Sequence, residues 1–193
     1  MQEKKLILAS ASPRRQAIMK QLGLSAEVRP SFVPEIKDGL PPAQLATRNA
    51  LSKARDVAGR TRKPALVISA DTVVVKGGRI LGKPRDEEEA LAMLRFLSGG
   101  RHEVFSAAAV IDAQTGREAA DCGQTAVFFA DLTEELIRAY AATGEPLDKA
   151  GAYGIQGLGA LLVERIEGDY GTVMGLSPRL LARLLREFGV KIF

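Results

Sequence analysis

Four short segments of this chain carry residues able to handle an anionic substrate or to activate water. The first is Ser10-Ala11-Ser12-Pro13-Arg14-Arg15. An apolar run precedes it and a helical pattern follows, so it marks a helix N-terminus. There, unpaired backbone N–H groups and the positive end of the helix dipole favour an anion. Ser12 is placed to cap the helix and to meet a phosphate. Arg14 and Arg15 add planar, permanently charged forks that match phosphate oxygens. Taken alone, the segment reads first as a capped helix with two solvated arginines.

The second segment is Ser69-Ala70-Asp71-Thr72. Asp71 closes a strongly apolar run, and acids at strand ends are common in sites; a plain turn aspartate is the equal alternative. The third, Gly82-Lys83-Pro84-Arg85, offers Lys83 as a phosphate clamp or, in isolation, as an ordinary surface lysine. Its glycines lack the spacing of a P-loop. The fourth runs from Gly144-Glu145-Pro146 through Asp148-Lys149 to Gln156-Gly157. A loop of this length inside a compact domain is usually functional or disordered, and Ala150, Tyr153 and Ile155 within it argue for order.

The elements that must position these segments are legible from periodicity. Leu6 to Ala9 reads as a buried strand. Ser12 and Pro13 open a helix that Gly23 stops. Pro41 to Ala58 reads as an amphipathic helix with Leu45, Ala46, Ala50, Ala54 and Val57 inward. Ala65 to Ala70 is a strand that runs through Asp71-Thr72 into Val73–Val75, and Gly77-Gly78 turns it back toward Ile80-Leu81. Arg85 to Leu97 is helical, with Asp86 and three glutamates at its start. Glu103 to Asp112 and Glu118 to Phe129 read as two long strands. A helix from Thr133 to Ala142, a strand from Ala160 to Ile166 and a helix from Leu180 to Phe188 follow. Alternating strands and helices with hairpins imply an α/β fold with a mixed central sheet flanked by helices. The whole chain, residues 1–193, is read as one domain, with room for two lobes.

Composition narrows the function class. Hydrophobic residues make up 46% and charged residues 26%, the balance of an ordinary globular protein. The net charge of +4 suits an anionic substrate. No dense Lys/Arg block is present, and Arg60-Thr61-Arg62-Lys63 reads as a loop, so nucleic acid is not the expected partner. One cysteine, Cys122, excludes an internal disulfide and a multi-cysteine zinc site, and one histidine, His102, excludes a histidine-rich metal centre. The apolar run after Met1-Gln2-Glu3-Lys4-Lys5 is too short for a signal peptide or a membrane span, so a cytoplasmic location without membrane attachment is expected.

Taken together, the segments resemble the Maf family of nucleotide pyrophosphatases. The resemblance runs from Leu8 to Leu176 and rests on Ser12-Pro13-Arg14-Arg15, Ala70-Asp71-Thr72-Val73-Val74, Gly82-Lys83-Pro84, and Gly144-Glu145-Pro146 through Gln156-Gly157. Gly168-Asp169-Tyr170 and Gly175-Leu176 complete it. The chain departs from the family pattern at Pro34 and Ala126, where acids are frequent, and at Ser177-Pro178 after Gly175-Leu176.

The resemblance implies hydrolysis of a nucleoside triphosphate to its monophosphate and pyrophosphate. It further implies an elongated, two-lobed α/β architecture akin to the inosine triphosphate pyrophosphatases, a homodimer, and a divalent cation (Mg2+, Mn2+ or Co2+). Family members are linked to nucleotide-pool sanitation and to cell-division arrest at septum formation. By position, Asp71 matches the proton acceptor and Glu35 the acidic site residue. Lys53 and Lys83 match phosphate-binding lysines, beside Ser12, Arg14 and Arg15. Arg14, Thr72 and Gln156 match the positions tied to dTTP/UTP selection. Glu35, Asp71 and Asp148 are the carboxylates that suit a metal. An aspartate is a weak base at neutral pH, so Asp71 serves as well by holding metal and orienting water. Two other readings stand beside this one. One is a house-cleaning pyrophosphatase for modified or purine triphosphates such as 7-methyl-GTP or inosine-type nucleotides. The other is a non-catalytic division-regulating or nucleic-acid-binding module.

Overall fold

The structure is a computed structural model that describes residues 4–193. Met1 to Glu3, which precede the apolar run noted above, lie outside the described residues. Strand β1 spans Lys5–Leu8 and is followed by helix α1, Pro13–Gln21. Pro13 at the first helical position presets φ for the helix, and Gly23 at φ 70° ends it. Strand β2 (Ala26–Val28), helix α2 (Pro42–Gly59), strand β3 (Ala65–Lys76) and strand β4 (Arg79–Leu81) follow. Gly77 and Gly78, both at positive φ, make the two-residue turn between β3 and β4.

Helix α3 spans Glu87–Leu97. Its cap is Asp86, whose side chain accepts from the Glu89 N–H at 2.8 Å, and Glu87–Glu89 complement the dipole. The long strands β5 (Arg101–Asp112) and β6 (Glu118–Phe129) precede helix α4 (Glu134–Ala141), capped by Thr133. Strand β7 (Val163–Glu167) and helices α5 (Tyr170–Met174) and α6 (Pro178–Glu187) complete the chain.

The strand order is β2-β1-β3-β5-β6-β7, with β4 paired to β3. β1 is parallel to β2 and β3, while β4 runs antiparallel to β3 and β7 to β6. The expected mixed sheet is therefore present. Three of its features escaped the sequence reading. β2 and α5 are too short to leave a periodic pattern. The segment 144–157 is not irregular throughout but winds through short 3-10 turns at Glu145–Asp148 and Ala150–Ala152. A third turn, Gly157–Leu162, delays the last strand to Val163. Its i→i+3 bonds satisfy a glycine-rich backbone that carries no strand pattern.

The chain falls into two compact units. The first comprises residues 4–71, 106–123 and 175–193 of the described chain. Its core includes Leu8, Ile18, Leu45, Leu66, Ile68, Leu181 and Leu185, all nearly fully buried. The second comprises residues 72–105 and 124–174. Its core gathers Val74, Leu94, Leu97 and Val127 with Phe129, Ile137, Tyr140, Tyr153 and Leu162.

Candidate active site

In the first unit, β3 and α2 build a charged cluster by combining two periodicities. Ser69 and Asp71 are two residues apart on β3 and so share a face; Asn49, Ala50 and Lys53 lie within about one turn of α2. The Ser69 hydroxyl donates to the Ala50 carbonyl at 2.5 Å, which holds strand and helix in register. Asp71 is buried. Its Oδ1 accepts from Lys53 Nζ at 2.6 Å and its Oδ2 from Asn49 Nδ2 at 3.2 Å. The same Lys53 ammonium reaches Glu35 Oε1 at 2.5 Å. The Lys53 and Asp71 side chains are only 13% and 8% exposed, whereas Glu35 is 49% exposed. One ammonium thus joins a buried carboxylate to one open to water.

The start of α1 contributes the arginines. Ser12 occupies the cap position but its side chain makes no capping bond; its backbone N–H donates to Ser10 Oγ at 3.2 Å. Arg15 donates from Nη1 to the same Ser10 Oγ at 3.2 Å and from Nε to the Gly175 carbonyl at 2.9 Å. Burial lowers the Arg15 pKa, opposed by Asp71, lowered further by Arg14 and opposed again by Glu35, so the guanidinium lies within electrostatic reach of the acidic cluster. Arg14 is half-buried and has no ion-pair partner among the described residues. The two arginines, equal in the sequence, are separated by the fold into one anchored cation and one available cation.

The second unit holds Thr72, Lys83, Asp148 and Gln156. Thr72 is half-buried on β3, and Lys83 and Gln156 are exposed. Gly82, next to Lys83, accepts through its carbonyl from the Gly151 N–H at 3.0 Å. Gly151 sits at φ 70°, and an added Cβ would meet the Val74 side chain at 3.0 Å, so only glycine suits this approach. Asp148 pairs with Lys149 at 2.7 Å, and Lys149 also donates to the Glu145 carbonyl at 2.6 Å. The Glu145 carboxylate accepts from the Tyr140 hydroxyl at 3.0 Å and from the N–H groups of Leu158 and Gly159 at 3.3 and 3.4 Å. It therefore clamps the backbone immediately after Gln156.

The plain turn-aspartate alternative for Asp71 falls away: β3 runs through Asp71-Thr72, as the strand pattern into Val75 implied, and on to Lys76, so the carboxylate is held by regular backbone rather than by a loop. Gln156 is exposed and stands at the start of a 3-10 turn. The lone cysteine and histidine are both shifted away from their charged forms. Burial, then Asp121 and Asp71, push the Cys122 thiol up to about 11, leaving little thiolate at neutral pH. His102 is buried in the second unit, where its Nε2 lies 2.8 Å from the Tyr153 hydroxyl. Its ring packs edge-on to Phe129 and Tyr153, and burial, then Lys76 and Arg101, lower its pKa to about 3.

Sequence reasoning missed Asn49 and Glu145. The signal for Asn49 was present: a polar residue four positions after Leu45, inside the buried stripe of an amphipathic helix. Among the described residues, no three His, Cys, Asp or Glu side chains are gathered as a ready metal cluster. No helix among them is long and apolar enough to cross a membrane.

Comparison with known proteins bears on this arrangement. The family model described as Maf-like protein matches residues 5–188. A dTTP/UTP pyrophosphatase of Moorella thermoacetica is 52% identical over 190 residues, covering 98% of this chain and 97% of the relative. A dTTP/UTP pyrophosphatase of Desulforamulus reducens is 48% identical over 188 residues, covering 97% and 98%. Among solved structures, a HAM1 protein from Coxiella burnetii aligns with a TM-score of 0.55 at 18% identity. That alignment covers 96% of this chain and all of the other, a likeness of fold.

Proposed function

This chain belongs to the Maf family, and on that premise we propose that it hydrolyses dTTP and UTP to the monophosphate and pyrophosphate. The observation that carries the reading is the Glu35–Lys53–Asp71 array, a buried carboxylate and an open one on a single ammonium, within electrostatic reach of Arg15. Its relatives named dTTP/UTP pyrophosphatase supply the substrate class.

Water attacks the α-phosphorus, the α–β phosphoanhydride bond breaks, and pyrophosphate leaves. The substrate is densely anionic, so approach of water requires its charge to be neutralised. Positioning and electrostatic stabilisation dominate such transfers. Arg14 meets the phosphate chain directly, with Ser12 at the α1 N-terminus, and Lys83 is a phosphate-binding lysine by its family motif. Arg15 holds that helix start in place and adds its charge. Lys53 turns part of its charge from the carboxylates to the phosphates. Asp71 orients the attacking water and takes its proton. Thr72 and Gln156, with Arg14, select the base, the Gln156 amide offering the donor and acceptor that the 4-oxo and N3–H groups of uracil and thymine require.

A divalent cation (Mg2+, Mn2+ or Co2+) fits these donors. Mg2+ commonly takes one or two protein carboxylates and completes its shell with phosphate and water oxygens. Glu35 and Asp71 already share one cationic group. These two residues would hold the ion; Asp148, the third carboxylate expected from the sequence, lies in the second unit and pairs with Lys149 instead. When bound, the ion neutralises phosphoryl charge and polarises the scissile bond. Action in the cytoplasm, as a homodimer, in nucleotide-pool sanitation or in arrest of septum formation belongs to the same proposal; sedimentation of the purified protein tests the dimer.

The decisive experiment is pyrophosphate release by purified protein from dTTP, UTP, ATP, GTP, 7-methyl-GTP and ITP, with and without Mg2+. Turnover of dTTP and UTP clearly above the purines, abolished by a chelator, is expected. Preference for a purine or modified triphosphate would replace the substrate assignment. Absence of turnover with every nucleotide and metal would favour a binding module.

A further inference from the structure

Asn49 is buried at 4% exposure on the face of α2 that meets β3, among Leu45, Ala46, Ala50 and Ala54. An amide at that depth persists only if its donors and acceptor are matched. All are matched, and every partner belongs to the acidic cluster or its support. Oδ1 accepts from the Ile36 N–H at 2.9 Å, and Nδ2 donates to the Ile36 carbonyl at 2.9 Å. Nδ2 donates again to Asp71 Oδ2 at 3.2 Å.

The consequences are local and specific. The paired bonds fix both backbone polar groups of Ile36, the residue next to Glu35, in a stretch with no regular structure of its own. The third bond fixes the carboxylate plane of Asp71, whose other oxygen is held by Lys53 one helical turn further along α2. Without Asn49, the Asp71 oxygen would lack its donor, and Glu35 would be held to the cluster by the Lys53 ion pair and by whatever its own segment supplies.

We infer that Asn49 is a positioning residue: its side-chain amide sets the mutual placement of Glu35 and Asp71 while touching neither substrate nor leaving group. The inference rests on the proposed catalytic use of Asp71. It predicts a split between chemistry and binding, because an interaction that orients the reacting groups appears in kcat rather than in KM.

The test compares Asn49→Ala and Asn49→Asp with wild type in dTTP turnover, each checked for folded content by circular dichroism and thermal melting. Asn49→Asp keeps the shape and the acceptor for Ile36 N–H, loses the donor to the Ile36 carbonyl and sets a second carboxyl against Asp71; it disturbs the same placement without opening the cavity that Asn49→Ala leaves. Thr47→Val is the control: Thr47 Oγ1 donates only to Ala43 O, within the same helix, and its loss does not reach the cluster. We expect kcat per folded molecule to fall about 10- to 100-fold in both Asn49 variants, the usual effect of losing a hydrogen bond to a charged group. KM is expected to stay within about threefold, and the control to match wild type. A loss confined to melting temperature, with kcat per folded molecule unchanged, would overturn the inference. So would an equal fall in kcat for Thr47→Val. Asp71→Asn separates the two levels: if that variant keeps turnover, the proposed function of Asp71 fails. If it is inactive while both Asn49 variants turn over normally, only the positioning role fails.

Discussion

In the first unit, the charged groups stand on α2 and β3 and are locked together before any substrate arrives. Asp71 and Lys53 are nearly buried, and each oxygen of Asp71 already has a donor. In the second unit, Lys83, Asp148 and Gln156 stand on loops and 3-10 turns and are exposed. What is locked there is the backbone beneath them, through Glu145 and Tyr140 and through the Gly82–Gly151 bond. On the proposed function, the contrast separates two tasks. Groups that must act on the α-phosphate gain from preorganisation, because reorienting charges during the reaction costs free energy. A group that must choose among bases gains its discrimination when the substrate removes it from water.

The largest expected effect falls on the first region. Asp71→Asn keeps the shape of the side chain and removes its charge, and should lower kcat for dTTP by about a thousandfold with the fold retained. Near-wild-type kcat would break the comparison at its root.

Next comes the pair of lysines, which the sequence presents as equivalent and the fold does not. Lys53→Met leaves Asp71 buried without its counter-ion, and removing one partner of a buried pair costs about 3 kcal/mol of stability. Lys83→Ala removes an exposed charge and should change stability by less than about 0.5 kcal/mol while raising KM for dTTP. Chemical denaturation and steady-state kinetics on both variants read this directly; equal stability losses would erase the distinction.

A smaller effect is expected at Gln156. Gln156→Glu removes the amide donor, so the preference for dTTP and UTP over purine triphosphates should shrink by roughly ten- to a hundredfold, the effect of about 1–3 kcal/mol for an unsatisfied group. Because the side chain is exposed in the free protein, melting temperature should not move. An unchanged order of substrates would remove Gln156 from selection.

The smallest effect concerns His102, buried in the second unit against Tyr153. Its folded pKa is about 3 against an ordinary 6.5. As pH falls below 6.5, the unfolded chain takes up a proton that the folded protein refuses. Stability attributable to this group is full above 6.5 and is lost at up to about 1.4 kcal/mol per pH unit as pH falls toward 3. Between pH 7 and 5.5, most carboxylates stay ionised, so urea denaturation should show wild type losing about 1 kcal/mol more than His102→Leu. Equal losses would mean that His102 accepts its proton without strain.

Short-range features of this protein were readable from its residues. Pro13 after Ser12, Asp86 before three glutamates, and the apolar stripe of α2 each declare themselves within one or two turns, because capping and amphipathicity depend on neighbours in sequence. The motif segments were equally visible, and with them Ser12, Arg14, Arg15, Asp71, Thr72, Lys83, Asp148 and Gln156; Glu35 and Lys53 came through the family resemblance alone, and Asn49 and the clamping role of Glu145 through neither. Tertiary structure alone decided what those residues do to one another. Glu35 and Lys53, and Lys53 and Asp71, are each 18 positions apart, and Arg15 reaches a carbonyl 160 positions away. Such meetings depend on which face of β3 looks at α2, and a one-residue slip of the strand would turn Asp71 away from Lys53 altogether. The same logic separated Arg14 from Arg15 and Lys53 from Lys83. Identical side chains acquire different roles because burial and the supply of partners are properties of the packed chain, set by long-range pairing.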